Sequence, residues 1–463
     1  MSSLQNAREA PLWLDSFNQS LHGRKPLDGP VSVDVAIIGG GYSGLWTAYY
    51  LLENDPSLRV LIIEKEFCGY GASGRNGGWC EGALAGGTEK YAKRSTMGEA
   101  LRLERTMFQT VDEIQRVLDS EDINCDFHKG GFVSVARNLP QALRQRSAVE
   151  LARERGTAEE IIRILDADEA RAHVNATNVH SGIFFAPSAV VDPGKMVRGL
   201  AKAVERKGGT IVEGTTALSI STGKVVCTEG VVSADVIVQA TEGYTRDIKG
   251  KKLDLLPVYS RMIATEPLTH SQISEIGLAD RPTFNDGRYI VFYGQRTEDN
   301  RIAFGGQGNP PYLFGSRIDS GVESNLHSHE VVWENLVHLL PQLKDVVITH
   351  RWGGTLAIPR NWLPGLLLDT LSGVGFLGGY VGEGVAAANL AGRTMADLIL
   401  ERQSDLISLP WVGVRSRKWE PEPLRWLGVR VSRRCMGAAD TSETNKQKTA
   451  KLAMRAAHVL RGD

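Results

Sequence analysis

A chain of 463 residues, 42% of them hydrophobic, is long enough for two intimately packed domains around a large core. Its 53 basic and 54 acidic side chains leave a net charge of -1, so nothing in the overall balance suggests a nucleic-acid or anionic-membrane partner. Five cysteines, odd in number and without metal-ligand spacing, argue against a disulfide framework and read as reduced thiols in a cytoplasm.

Residues 1 to 32 read as a lead-in arm with Pro11-Leu12-Trp13-Leu14 as its apolar anchor, and no apolar stretch of signal-peptide or membrane-span length is expected. Residues 33 to 38 form an apolar run suited to a parallel strand buried on both faces. The run enters Gly39-Gly40-Gly41-Tyr42-Ser43-Gly44, where Gly39 permits a tight turn, Gly41 lets a pyrophosphate approach, and Gly44 lets the next helix pack closely. A second strand, 59 to 63, ends at Glu64-Lys65. Glu64 lies about 20 residues beyond Gly44, where a carboxylate accepts ribose hydroxyls and its charge disfavours a 2′-phosphate. The competing reading is a glycine turn without function. A second glycine loop, Gly69 to Gly78, follows at once, and a nicotinamide unit does not need one.

Further on, Leu103, Met107, Val111, Ile114 and Leu118 give the stripe of a helix over 99 to 120. A strand is expected at 130 to 135 and a surface helix at 140 to 155. Asp192-Pro193-Gly194 caps another helix. Short strands are expected at 210 to 213, 217 to 221, 224 to 228 and 231 to 233, and a parallel strand over 234 to 241. Residues 255 to 306 alternate as an antiparallel sheet that would roof the site, with 297 to 300 as a hairpin turn. Gly373-Val374-Gly375-Phe376-Leu377-Gly378 repeats the dinucleotide pattern, but turn-like residues precede it and Val374 to Leu377 reads as a strand. A helix follows from Val385, and a last helix is expected over 443 to 460 in a basic extension.

The second loop, Gly71-Ala72-Ser73-Gly74-Arg75-Asn76-Gly77-Gly78, resembles that of the D-amino-acid oxidase, glycine oxidase and sarcosine oxidase superfamily of FAD-dependent amine oxidoreductases, and looks most like its γ-glutamylputrescine oxidase subgroup. The resemblance returns at Ala240-Thr241, at 264 to 268, at 301 to 306 and at Gly379-Tyr380-Val381-Gly382-Glu383-Gly384-Val385. It implies an α/β fold in which a Rossmann-like FAD domain (33–90, 190–250 and 350–410) carries a substrate domain on a mixed or antiparallel sheet (91–189 and 251–349), with 411–463 as a basic C-terminal extension. It also implies FAD contacts from Gly39, Gly41, Tyr42, Ser43, Gly44, Glu64, Lys65, Gly71, Ala72, Ser73, Arg75, Asn76, Gly77 and Gly78. Thr216 and Ala217 would lie beside the adenine and Ala240 and Thr241 over the ribose, with Gly379, Tyr380, Gly382, Glu383, Gly384 and Val385 near the flavin ring.

The implied reaction passes hydride from the carbon beside an amine nitrogen to flavin N5, and the imine hydrolyses in water, with O2 or another acceptor taking the electrons. The flavin is expected to be held non-covalently, since the 378 to 384 loop lacks the cysteine through which sarcosine oxidases hold theirs, with Cys80 and the ten histidines left as other points of attachment. Glu383 either faces the flavin or caps its helix. Glu81 stands where sarcosine oxidases present arginine, so it would attract an ammonium group, with Arg288, Arg296 or Arg360 left to face a distant acid. The competing reading makes Glu81 a solvated or capping acid. No metal cage is expected, because His327 and His329 would face different sides of a helix. A flavoprotein subunit that needs a partner for turnover, and a flavin hydroxylase, remain as alternatives.

Overall fold

The computed structural model describes residues 2–15, 17, 23–307 and 310–461, so Met1, Ser16 and residues 18–22 of the arm, residues 308–309, and residues 462–463 of the extension lie outside it. The strand Val31–Ile38 runs parallel to Val60–Ile63 on one side and to Val231–Gln239 on the other. Thr210–Val212 and Val374–Gly378 extend the parallel set outward, and Gly365–Asp369 closes one edge antiparallel. Alternation along the central strand sends Val35 and Ile37 into one apolar cluster and Ala36 and Ile38 into another. The first cluster takes in the helices Tyr42–Asn54, Met97–Ser120, Pro193–Arg206 and Gly384–Ile399. This explains why the strand reads as a continuous apolar run rather than an alternating one.

A second eight-stranded sheet has the order Ile348–Ile358, Leu256–Thr265, Ile302–Gln307, Phe292–Arg296, Thr283–Asp286, Phe132–Ala136, Ser181–Phe185, Ile162–Leu165. It is antiparallel except where Thr283–Asp286 meets Phe132–Ala136. The stripe of the long helix is buried as its spacing demands, and the Thr96 side chain caps it by accepting from Glu99 N. Trp13 anchors the arm: it is 3% exposed and meets Trp352 edge-on at 6.0 Å.

Three expectations need correction. The strands expected at 231 to 233 and 234 to 241 are one strand, Val231–Gln239, because Val232 pairs with Val225 on one side and Val31 on the other. The domain boundary placed at 350 falls inside Ile348–Ile358, which pairs along Leu256–Thr265 in the second sheet. The single C-terminal helix over 443 to 460 is two helices, Leu424–Lys446 and Lys451–Arg461, broken where Gln447 takes φ +52°. The first escaped notice because its buried face is largely polar: Arg425, Ser432, Ala439 and Glu443. Arg425 pairs with Glu422 at 2.9 Å and Glu443 with Arg144 at 2.6 Å, so these charges are buried with partners.

Candidate active site

Ile38, Ile63 and Ala240, at or just beyond the carboxyl ends of three parallel strands, open on a cavity of about 750 Å³ bounded on its far side by the second sheet. A crevice outside the carboxyl ends of strands is where open α/β sheets bind ligands.

One region of this cavity is built from the first two strands and their loops. Gly39 has φ +111°, and a Cβ there would stand 2.5 Å from Ala240 O. Gly41, Tyr42 and Ser43 line the wall at the N-terminus of Tyr42–Asn54, so the positive end of that helix points into the cavity. Gly44 does not line it; a side chain there would overlap the Gly39 carbonyl, so its part is close packing. Glu64 accepts from Gly40 N at 2.7 Å and Glu66 N at 2.9 Å, one bond to each oxygen. A carboxylate oxygen has a second lone pair, so Glu64 retains acceptor capacity toward a ribose. Burial raises its pKa, while these two N–H donors oppose the shift. Lys65, Thr216, Ala217 and Thr241 line the same region.

The second glycine loop contributes Gly71, Ala72, Ser73, Arg75, Asn76 and Gly77 to the wall, whereas Gly78 lies behind it at φ +71°. Ser73 Oγ accepts from Tyr42 N at 2.9 Å, which ties the loop to the helix end. Asn76 is spent on its own loop, accepting from Gly78 N at 2.8 Å and donating to Ala72 and Ser73 carbonyls. Three consecutive carbonyls face away onto side-chain donors, among them Trp13, which the sequence marks as an apolar anchor and not as a donor. Trp352 Nε1 donates to Arg75 O at 2.9 Å, Trp13 Nε1 to Asn76 O at 2.8 Å, and Gln295 Nε2 to Gly77 O at 2.8 Å. Arg75 itself is paired with Glu323 at 2.8 Å and lies 4.5 Å from the Tyr70 ring centre.

Glu242 was also missed. Directly after Ala240-Thr241 and at φ +40°, it accepts from Gly379 N at 2.6 Å and Ala357 N at 3.2 Å, and burial pushes its carboxyl up to about 7. Only a positive-φ acid after a strand end could have hinted at it, and sequence does not reveal φ.

The other region is assembled from distant segments. Trp79 lies 5.2 Å from Tyr293 and 5.5 Å from Phe132, making an aromatic wall. Glu81 ends the strand Trp79–Glu81, which pairs with Ser188–Val190, and its side chain lines the cavity. Glu383 stands at the N-terminus of Gly384–Ile399 and also lines it, with Tyr380, Gly382, Gly384 and Val385, while Gly379 lies just outside. The Glu383 side chain makes no capping bond. Among the described residues neither Glu81 nor Glu383 has a hydrogen-bond or ion-pair partner, and the two acids sense each other's charge. Burial first, and the Glu383 charge second, hold the Glu81 proton well above the usual carboxyl range.

The three arginines expected near the substrate are engaged elsewhere. Arg288 is held by Asp286 and Asn335, Arg296 by the Leu278 and Ala279 carbonyls and Asn300, and Arg360 by Glu420 and the Arg461 carbonyl. None of them lines the cavity; Arg461 does. Burial next to acids and carbonyls made those arginines better matched to local partners than to the cavity. His327 pairs with Glu330 at the surface, and His329 is buried against the Asn325 and Trp352 carbonyls. Among the described residues no helix is long and apolar enough to cross a membrane.

The model of the family described as "DAO: FAD dependent oxidoreductase" matches residues 34–398. The Gamma-glutamylputrescine oxidoreductase of Escherichia coli (strain K12) is 29% identical over 393 residues, covering 83% of this chain and 88% of the relative. The crystal structure of glycine oxidase from Geobacillus kaustophilus superposes with a TM-score of 0.68 at 20% identity, covering 83% of this chain and 99% of that one.

Proposed function

Since the chain belongs to the DAO family of FAD-dependent oxidoreductases, we propose that it oxidises an amine at the carbon beside nitrogen, with Glu81 and Glu383 receiving the ammonium group. The observation that carries this reading is the pair of partnerless acids facing one cavity beside an aromatic wall. Two carboxyl groups that raise each other's proton affinity cannot both stay ionised cheaply. A cationic ligand relieves that cost, and a simple α-carboxylate adds to it. The pair can also retain the proton that the ammonium gives up, which leaves the nitrogen lone pair available for oxidation. The name of the Escherichia coli relative, with its amine and glutamyl parts, agrees with this substrate class.

The residues present suit FAD. Glu64 offers lone pairs to a ribose, the first turn of Tyr42–Asn54 offers N–H groups to a pyrophosphate, and the loop 71–77 offers a wall of small residues. The N-terminal turn of Gly384–Ile399 is a place for negative charge without any side chain. FAD, when bound, supplies the two-electron acceptor that no side chain can. Among the described residues no cysteine or histidine lines the cavity, which supports non-covalent binding. The five free thiols, four of them buried, agree with a reducing cytoplasm.

Anaerobic addition of amines and amino acids to the yellow protein, followed at the flavin absorbance, tests the reading. An amine is expected to bleach the flavin, and Glu81→Gln or Glu383→Gln to raise its half-saturating concentration roughly 10- to 100-fold, the loss of a charged hydrogen bond of about 1.5–3 kcal/mol. D-amino acids reducing fastest, with both substitutions silent, would overturn it. A flavin bleached by no amine would favour a scaffold, and one bleached by NADPH a hydroxylase. Flavin in the supernatant after acid precipitation is the outcome expected of non-covalent FAD.

A further inference from the structure

The family match stops at residue 398, yet the chain goes on into a hairpin of two helices, Leu424–Lys446 and Lys451–Arg461. We propose that the outer face of this hairpin docks on an anionic lipid surface, lying on the bilayer without crossing it. The inference goes beyond the amine reading and does not depend on it.

The hairpin sorts its charges by side. Its two acids turn inward: Asp440 accepts from Tyr289 N at 2.8 Å and Ile290 N at 3.0 Å, and Glu443, fully buried, pairs with Arg144 at 2.6 Å. Arg425 is also turned inward, onto Glu422 at 2.9 Å. Arg430, Arg434, Lys446, Lys448, Lys451 and Arg455 are exposed, so every exposed formal charge over residues 424–461 is positive. A chain with a net charge of -1 has thus gathered six outward cations on one segment. Anionic headgroups reward such a cluster by roughly fivefold in affinity for each Lys or Arg near the surface.

Aliphatic side chains stand among these cations. Exposed Leu424, Leu427 and Val431 recur at helical spacing on the face of the first helix opposite buried Arg425, Ser432 and Glu443. On the second helix Met454 and Ala457 are buried, while Leu452 and Val459, 81% and 76% exposed, share the other face with Arg455. Arg430 stacks at 4.1 Å on Trp426, whose ring meets the exposed Phe314 edge-on at 6.3 Å. One exposed leucine needs no explanation, but aliphatic residues set among cations of one sign on both helices do. A protein partner is fixed in register by charges of both signs around a contiguous apolar core. A bilayer needs no register: its headgroups take the cations, and short aliphatic side chains pass between them. Among the described residues no helix is long and apolar enough to span it, so the hairpin would lie in the interface. Met436, on the first helix, lines the cavity, so docking brings the cavity wall to within one helix of the lipid.

The test is flotation of the FAD-loaded full chain with vesicles of phosphatidylcholine alone and of equal parts phosphatidylcholine and phosphatidylglycerol, scored by protein in the floating layer. Wild type is expected to float with the phosphatidylglycerol vesicles, to stay behind with phosphatidylcholine alone, and to be released by salt, which screens exposed charges. The triple variant Lys448→Gln, Lys451→Gln, Arg455→Gln should lower the partition coefficient on the order of 100-fold, and the pair Leu452→Ser, Val459→Ser roughly tenfold, with flavin absorbance and melting temperature unchanged in both. If the triple variant does not retain FAD, the salt series and the serine pair decide. Wild type that floats with neither vesicle, or with both alike, overturns the inference, and so does floating that both variants leave in place. Binding to immobilised polyglutamate that the serine pair leaves intact, with its floating equally intact, assigns the face to an acidic protein. A wild-type dimer that the serine pair breaks into monomers assigns it to a second copy of the chain. Either of these results overturns the lipid assignment.

Discussion

The two regions of the cavity solve the same problem, holding charge out of water, in opposite ways. Around Glu64 the chain satisfies its own polar groups: both carboxylate oxygens take backbone N–H donors, and the loop carbonyls of Arg75, Asn76 and Gly77 are each capped by a side chain. Around Glu81 and Glu383 the chain leaves two acids without partners and brings them close enough to interact. A site that is complete by itself is rigid and suits a resident cofactor. A site that carries an unmet charge costs stability until a ligand arrives, as functional sites often do.

The largest effect expected from this contrast is at the glycines. Gly39 and Gly382 share nearly the same φ, +111° and +108°, but a Cβ meets Ala240 O at the first and nothing within 4 Å at the second. Gly39→Ala should therefore cost about 1–3 kcal/mol of overpacking beyond the strain that both variants suffer. Thermal unfolding of the two apoproteins, with FAD titration of each, measures the difference; equal losses would mean that the turn at Gly39 has room to relax. Next in size is Glu64. Glu64→Ala should weaken FAD by about 1.5–3 kcal/mol, roughly 10- to 100-fold, and also orphan the Gly40 and Glu66 N–H groups, while Glu64→Asp should weaken it less. Fluorescence titration of FAD would read this, and unchanged affinity in Glu64→Ala would remove the ribose assignment.

The smallest effect is in pH. Glu81, Glu383 and Glu242 hold protons more tightly folded than unfolded, so each favours folding below the usual carboxyl range and loses that contribution as pH rises through its folded value, about 7 for Glu242. Glu81→Gln removes one of these charges. The melting temperature of apo Glu81→Gln relative to wild type should therefore rise between pH 5 and pH 8, by about 1–2 °C. A constant difference across that range would show that the Glu81 charge costs the fold nothing.

The dinucleotide region was legible because its contacts are local. A strand, a three-glycine turn and a helix place Gly39, Gly41 and Gly44 by backbone geometry alone, and the parallel pairing of Val31–Ile38 with Val60–Ile63 then fixes where Glu64 emerges. The expectation for Glu81 was legible as charge, but its counterpart was not. Glu383 reads equally well as a helix cap, and only packing decided that its side chain turns to the cavity instead. The basic extension looked like a weakly amphipathic tail, since a helix whose buried face is Arg425, Ser432 and Glu443 has no apolar stripe to detect.

What the sequence determined by itself is the parallel-sheet fold and the glycine-loop region of the cavity that we propose holds FAD, because chain connectivity and residue spacing dictate those neighbours. What only the tertiary structure decided is the other region of the cavity: that Arg288, Arg296 and Arg360 are spent on partners of their own, that Glu81 meets Glu383, and that Arg461 joins the wall. The physical reason is that a charged side chain goes to whichever partner lowers its desolvation cost most, and those partners come from segments that no local pattern connects.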